Sequence, residues 1–301
     1  MIASILSYPH AIIMGLLQGV TELFPVSSLG HGVLLPYLLN WHDITVNQNH
    51  AESPFLAFLV ALHVGTALGL IVFYWRTWKD LLGGGVATLR ALPRRGVSSL
   101  WRVNDEGTNP HYRTLALLVL ATIPVGVVGL TFEHKLRVLF AKPLAAAVFL
   151  TMNAAILAGG ELLRRRQPAR HQTATTIATL TPTKALVIGA SQILALFAGI
   201  SRSGSAMTTG LLGGMDHEES ATFSFLLATP VILLAGALKI PDLLGSLGHG
   251  IRAQSAVAAV VAGVAAFFAT KFLTRWFTTR TLWPFAIYCL VAGAASWYHF
   301  A

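Results

Sequence analysis

Long apolar runs, each close to 20 residues, constrain the fold of this 301-residue chain more than any other feature. Apolar residues make up 54% of the sequence and charged residues only 11%, well below the charged share of soluble domains. Inside a bilayer every backbone N–H and C=O must be bonded within its own segment, so each run is expected to be a helix. The sequence therefore predicts an all-α polytopic membrane protein, with spans at about 54–75, 114–132, 143–163, 221–238, 253–270 and 283–300.

Two further apolar regions, at about 9–39 and 185–213, are too long for one span and carry polar residues near their centres. The first is interrupted by Pro25-Val26-Ser27-Ser28 and the second by Gly199-Ile200-Ser201-Arg202-Ser203-Gly204. Such breaks free backbone groups, which is tolerated at membrane depth only inside protein or next to water. Each region is therefore predicted to form a re-entrant helical hairpin.

The two breaks repeat one pattern, Gly15-x-x-Gln18-(x8)-Ser27-x-x-Gly30 and, 174 residues later, Gly189-x-x-Gln192-(x8)-Ser201-x-x-Gly204. Each half then contains one hairpin and three spans. Because three is odd, the second half is expected to be inverted relative to the first, as in proteins with a site at a repeat interface. The predicted organisation is a first repeat at 1–163, a basic cytoplasmic linker at 164–184 and a second repeat at 185–301.

Lys and Arg residues are distributed unequally between the predicted loops. The loops at 76–113, 164–184 and 271–283 hold 15 of them, whereas the loops on the other side hold five. The positive-inside rule then places both termini on the periplasmic side. Topology also explains the net charge of +9, so nucleic acid is not an expected partner. Gly83-Gly84-Gly85 in the first basic loop suggests a hinge in a partly mobile segment.

Ionisable side chains at membrane depth are costly, so each is a functional candidate. They are Glu22, His31, His63 and Arg202, and three of the four lie in the breaks. One interpretation is a structural ion pair between Glu22 and Arg202. A functional interpretation is favoured because hydroxyl residues flank both charges, namely Thr21, Ser27, Ser28, Ser201, Ser203 and Ser205.

The second half-helix after each break is expected to bind an anion. Helix N-termini present free N–H groups and partial positive charge, which suit phosphate. Arg202 adds a planar cationic fork, and Ser203 and Ser201 add donors beside it. The predicted phosphate-binding residues are Ser27, Ser201, Arg202, Ser203 and Gly204. Ser27 and Ser201 are also good helix N-caps, and capping alone could explain them.

Catalytic groups are expected opposite the anion site. A His beside a Ser gives an activated nucleophile or a general base for water, so His31 and Ser28 are candidates. Glu22 could orient the His or hold a divalent cation. His63 is more simply a helical His with a hydrogen-bonded partner. Supporting roles are open to four residues, Gln18, Thr21, Gln192 and His63.

Two motifs resemble those of the undecaprenyl-diphosphatase (bacitracin-resistance) family. They are Gln18-Gly-Val-Thr-Glu22-Leu-Phe-Pro25-Val-Ser27-Ser28-Leu-Gly30-His31 and Gly199-Ile-Ser201-Arg202-Ser203-Gly204. The resemblance implies hydrolysis of a C55 polyprenyl diphosphate at a periplasmic site of the bacterial inner membrane, assisted by Mg2+ or Ca2+. It also implies roles for Glu22, His31 and Arg202, with a motif serine as nucleophile. The expected partners are the polyprenyl diphosphate, the lipid bilayer and, in one alternative, a second copy of the chain in a homodimer.

The chain departs from that family's motifs at two positions. Ala198 replaces a proline, and Gln18 stands where many members have Glu, so Glu22 is the single carboxylate available as a metal ligand.

Two mechanistic questions stay open at this level. The internal repeat pairs Ser28 with Arg202 and Ser27 with Ser201, which favours Ser28 as nucleophile over Ser27, although water activated by His31 is an alternative. A transporter or flippase of the polyprenyl phosphate carrier could use the same anion site.

Overall fold

The computed structural model describes residues 6–45, 54–95, 109–140, 142–166 and 175–301. Every regular element in these ranges is helical, which confirms the predicted all-α class for this part of the chain. The α-helices are, in order, α1 (Tyr8–Thr21), α2 (Ser28–Leu38), α3 (His42–Thr45), α4 (Pro54–Phe73), α5 (Trp75–Arg95), α6 (Pro110–Phe140), α7 (Pro143–Arg165), α8 (Pro182–Ser191), α9 (Arg202–Leu212), α10 (His217–Leu244), α11 (Arg252–Phe277) and α12 (Trp283–Phe300). Residues 167–174 of the predicted linker lie outside the described ranges.

Among the residues that the structure describes, five segments are long and apolar enough to cross a membrane, and each overlaps a predicted span. They are Pro54–Phe73, Pro110–Phe132, Pro143–Arg165, His217–Leu244 and Arg252–Phe277. The sixth predicted span forms as α12 over the expected residues but is not among these five. This helix packs along α7, where Gly293 lies so close to Thr151 that no side chain would fit.

The predicted hinge at Gly83-Gly84-Gly85 is wrong. These residues lie inside α5, which runs without interruption from Trp75 to Arg95. A Cβ atom on Gly84 would lie 2.7 Å from His111 Cβ and 2.8 Å from Tyr112 N, so the glycine allows α5 to approach α6 closely. Of the rest of the predicted basic loop at 76–113, residues 96–108 lie outside the described residues and residues 110–113 belong to α6.

Helix α11, from the second half of the chain, packs between two helices of the first half, α1 and α4. The close approach depends on small residues, since Gly15 of α1 meets the Ala258 carbonyl and Gly65 of α4 meets the Ala259 carbonyl. Small residues that let backbones approach are typical of helix packing in membranes. Conversely, α7 of the first half packs on two helices of the second half, α9 and α12. The two halves therefore interdigitate.

The predicted interruptions of both long apolar regions are confirmed. Helix α1 is separated from α2 by residues 22–27, and α8 continues into a 3-10 helix, Gln192–Leu196, before the chain turns into α9. Ser27 and Gly199 have positive φ angles, 70° and 117°. A Cβ atom on Gly30 would lie 2.8 Å from Gly199 Cα, so the two breaks are in direct contact.

Candidate active site

Ser27 joins the two breaks through its hydroxyl oxygen. This oxygen accepts hydrogen bonds from the Gly30 N–H and the Gly199 N–H, both at 3.2 Å. The first bond is the predicted N-cap of α2, and Ser201 likewise caps α9 by accepting from the Gly204 N–H at 3.0 Å. The two caps lie at matching positions of the repeat. Ser28 therefore begins α2 and Arg202 begins α9 at equivalent places.

Asn153 on α7 holds the same two breaks from the side. Its Nδ2 donates to the Pro25 carbonyl at 2.9 Å, and its Oδ1 accepts from the Ser201 N–H at 3.0 Å. The side chain is fully buried, so both bonds replace contacts with water. Sequence reasoning missed Asn153, because an Asn within an apolar span signals a buried polar contact without naming its partners.

The centre of the site is the carboxylate of Glu22, which is 6% exposed. Its Oε1 accepts from Arg202 Nη2 at 3.0 Å and from Arg202 Nε at 3.2 Å. Its Oε2 accepts from Ser28 Oγ at 2.5 Å and from Gln18 Nε2 at 3.0 Å, and His63 Nε2 lies 3.3 Å away. One buried carboxylate therefore gathers a cationic fork, a hydroxyl, an amide and an imidazole.

The interpretation of His63 as an ordinary helical histidine is incomplete. Its Nδ1 does donate within its own helix, to the Leu59 carbonyl at 2.7 Å, but its Nε2 faces Glu22. A hydrogen bond from Nε2 to the carboxylate therefore requires the doubly protonated ring. The sequence could not reveal this contact, because it depends on α1 and α4 lying side by side.

Gln18, which stands where the motif that the chain resembles often has a glutamate, contacts the Glu22 carboxylate. The amide donates to Glu22, whereas a second carboxylate there would repel it. Arg202 Nη1 also approaches Gln192 Oε1 at 3.5 Å, so both glutamines of the repeated pattern lie at the site.

His31 does not contact the Ser28 hydroxyl, contrary to the expectation of a Ser–His pair. The Nδ1 of His31 is bonded to the Ser27 carbonyl at 2.7 Å, and its Nε2 lies 2.7 Å from the Tyr288 hydroxyl. The ring turns back along α2 because the carbonyl four residues earlier is within its reach. The hydroxyl of Ser28 donates to Glu22 instead. Tyr288, on α12, carries no sequence signal that distinguishes it from other aromatic residues of membrane helices.

The remaining predicted residues have more local contacts. Ser203 Oγ lies 3.1 Å from Ser201 Oγ and donates to the Phe24 carbonyl at 3.3 Å. Thr21 Oγ1 donates to the Leu17 carbonyl at 2.7 Å, so its hydroxyl is used within α1 and not at Glu22. Gly204 is a packing position, since a Cβ there would lie 3.0 Å from Leu157 Cδ2 and 3.2 Å from Pro25 Cβ.

The acidic side chains available to a metal ion are few. Within the ranges that the structure describes, no group of three or more His, Cys, Asp and Glu side chains is arranged to hold one. Glu22 is the carboxylate at the two breaks, and both of its oxygens are already bonded. A cation at this site would need further oxygen ligands from a substrate.

The fold and the site define an all-helical, multi-pass membrane protein with a buried serine–carboxylate–arginine cluster at two contacting helix breaks. The chain belongs to the bacitracin resistance protein BacA family, whose family model matches residues 11–295. It is 46% identical over 351 residues to undecaprenyl-diphosphatase 2 of Frankia alni, covering 98% of each chain. It is also 46% identical over 309 residues to an undecaprenyl-diphosphatase of Mycobacterium avium, covering 97% of this chain and 96% of the relative. A third relative, an undecaprenyl-diphosphatase of Granulibacter bethesdensis, is 44% identical and covers 97% of each chain. The family predicted from the two motifs is confirmed.

Proposed function

We propose that this protein is an integral membrane phosphatase that hydrolyses undecaprenyl diphosphate to undecaprenyl phosphate and inorganic phosphate, which recycles the lipid carrier for cell-wall synthesis. Family membership and relatives named undecaprenyl-diphosphatase support this activity. The observation that carries it is the 2.5 Å hydrogen bond from Ser28 Oγ to Glu22, with Arg202 on the other oxygen of the same carboxylate. A transporter would need only the anion site, so a hydroxyl in contact with a base favours hydrolysis.

The contact between Ser28 and Glu22 supports a two-step reaction. Ser28 Oγ attacks the terminal phosphorus, its proton passes to Glu22, and the bond to the bridging oxygen breaks, which releases undecaprenyl phosphate. Water then attacks the phosphoserine, the Oγ–P bond breaks, and Ser28 Oγ takes back the proton held by Glu22 as inorganic phosphate leaves. His31 is the second base in reach of the break and is assigned to activation of this water.

The phosphate charge is stabilised by groups at the starts of α2 and α9. Their N-terminal N–H groups supply donors and partial positive charge, and Arg202 supplies the full charge. In the structure the guanidinium uses Nε and Nη2 for Glu22, while Nη1 is 3.5 Å from Gln192. The Arg202 fork can therefore be shared between the carboxylate and an incoming phosphate oxygen. Ser203 is placed to support the same N-terminus.

A divalent cation, Mg2+ or Ca2+, is part of the proposal. Magnesium is commonly held by one or two carboxylates together with substrate phosphates, and a single buried carboxylate beside a diphosphate fits that pattern. Glu22 is the residue that would hold it, in exchange for one of the bonds that its two oxygens already make, and the bound ion would neutralise phosphate charge.

The activity is tested by phosphate release from undecaprenyl diphosphate with purified protein in detergent micelles, with protein-free micelles as the control. We expect turnover with added Mg2+ or Ca2+ and its loss on addition of EDTA. Turnover that persists in EDTA would remove the cation from the mechanism. Binding of the diphosphate without any phosphate release, under either condition, would refute the phosphatase and favour the transporter.

We also propose the finer architecture, an inverted repeat in which each half contains a re-entrant hairpin and both termini and the site face the periplasm of the bacterial inner membrane. The matched caps at Ser27 and Ser201 and the unequal loop charges support it.

His42 and Arg90 are both exposed, and Cys289 is buried, so His42→Cys and Arg90→Cys give clean labelling sites. A membrane-impermeant thiol reagent applied to intact cells should reach the first and not the second, and reversed labelling would overturn the orientation. A homodimer stays a prediction, which chemical crosslinking in membranes would test.

A further inference from the structure

The hydrogen bonds of His31 define its protonation pattern. A backbone carbonyl can only accept, so the bond between Nδ1 and the Ser27 carbonyl places a proton on Nδ1. In the neutral ring Nε2 then carries a lone pair, and the Tyr288 hydroxyl, 2.7 Å away, must be the donor. The nitrogen that His31 would use as a base is thus the one that Tyr288 contacts.

Tyr288 precedes a fully buried residue on α12, whereas its own side chain is partly exposed. The next residue, Cys289, is fully buried, and its Sγ lies 3.3 Å from Nδ2 of Asn153, the residue that bonds both breaks. The ring of Tyr288 lies nearly parallel to that of His31, with centroids 5.6 Å apart and planes at 12°. Nevertheless Tyr288 is 46% exposed. Its side chain therefore lies between His31 and the surroundings of the protein.

We propose that Tyr288 is a positioning residue for His31. Its hydroxyl and ring hold the imidazole in one orientation, with the Nε2 lone pair directed at the tyrosine O–H. When His31 takes a proton from water, the Tyr288 O–H must first turn away and free the Nε2 lone pair for that water. Nε2–H then becomes the donor, and the tyrosine oxygen accepts the new bond. The Tyr288–His31 pair thus stabilises both protonation states of the base, and no covalent bond of Tyr288 is made or broken. This inference rests on the proposed function, because it assigns His31 to water activation.

The variant that tests this role is Tyr288→Phe. Phenylalanine keeps the ring that stacks on His31 and removes only the hydroxyl and its hydrogen bond. Tyr298→Phe is the matched control, since Tyr298 lies on the same helix, is 87% exposed and is not part of the site. We expect kcat of Tyr288→Phe to fall about tenfold, as for loss of one good hydrogen bond to a reacting base. KM should stay within about twofold, because the phosphate groups are bound by Arg202 and the helix N-termini.

A spectroscopic measurement separates positioning from general damage to the fold. In protein carrying 15N-labelled histidine, the Nε2 resonance of His31, assigned by its disappearance in His31→Gln, should shift in Tyr288→Phe and not in Tyr298→Phe. If kcat of Tyr288→Phe matches the wild type, or if KM rises while kcat is unchanged, Tyr288 does not position His31. If the wild type itself releases no phosphate, it is the proposed function that fails, and the resonance shift still reports on the Tyr288–His31 bond.

Discussion

Replacement of Ser27 by alanine should cost more free energy of unfolding than the loss of an ordinary helix cap. The cap bond to the Gly30 N–H is worth about 1 kcal/mol. The same oxygen also accepts from the buried Gly199 N–H of the other break, and leaving that donor unsatisfied costs about 1–3 kcal/mol more. The expected loss for Ser27→Ala is therefore about 2–4 kcal/mol. The sequence alone gives no sign of the bond from the Gly199 N–H to Ser27.

Ser201→Ala is the matched control, because Ser201 occupies the equivalent cap position in the second break. Its hydroxyl accepts from the Gly204 N–H at 3.0 Å, and its other bond is to the Ser203 hydroxyl, which keeps the Phe24 carbonyl as a partner. We expect a loss of about 1 kcal/mol. The difference between the two variants isolates the bond between the breaks.

The measurement is the free energy of unfolding of both variants and the wild type, obtained by titrating sodium dodecyl sulfate into protein in mild detergent micelles. A deficit for Ser27→Ala at least about 1 kcal/mol larger than that for Ser201→Ala supports the reasoning. Losses equal to within about 0.5 kcal/mol would refute it, because the Ser27–Gly199 bond would then add nothing to the cap.

Three further predictions concern the breaks. Ser28→Ala should abolish single-turnover phosphate release while undecaprenyl diphosphate still raises its thermal stability; substantial turnover in Ser28→Ala alongside an inactive His31→Ala would instead establish direct attack by activated water. Arg202→Lys should lower kcat/KM at least about 100-fold, because one ammonium cannot replace the Nε and Nη2 contacts to the carboxylate or a bidentate grip on phosphate, and wild-type turnover would exclude Arg202 from the phosphate site. Gly199→Ala should destabilise the protein by about 3 kcal/mol or more in the same detergent titration, because φ is 117° and a Cβ would lie 2.5 Å from the Ala146 carbonyl oxygen; unchanged stability would contradict the close packing of Gly199 against α7.

Local features of the chain were predictable where local physics decides them. The apolar runs had to be helices, since lipid offers no partners to backbone groups, and the polar interruptions had to end those helices. Ser27 and Ser201 cap the following helices through contacts three residues away, so neighbouring residues alone determine them. The triglycine in α5 misled sequence reasoning, because packing against α6 outweighs the low helix propensity of glycine.

The arrangement of the site was decided only by tertiary structure. The sequence by itself determined that Glu22, His31 and Arg202 would be held at breaks in membrane helices, because charge is costly at that depth. It did not determine that Glu22 would bond Ser28 and Arg202 together, or that Tyr288 would be the partner of His31, because these contacts join residues up to 257 positions apart. The interdigitated packing of the two halves brings them within hydrogen-bonding distance, and no periodicity or spacing in the chain encodes that distance directly.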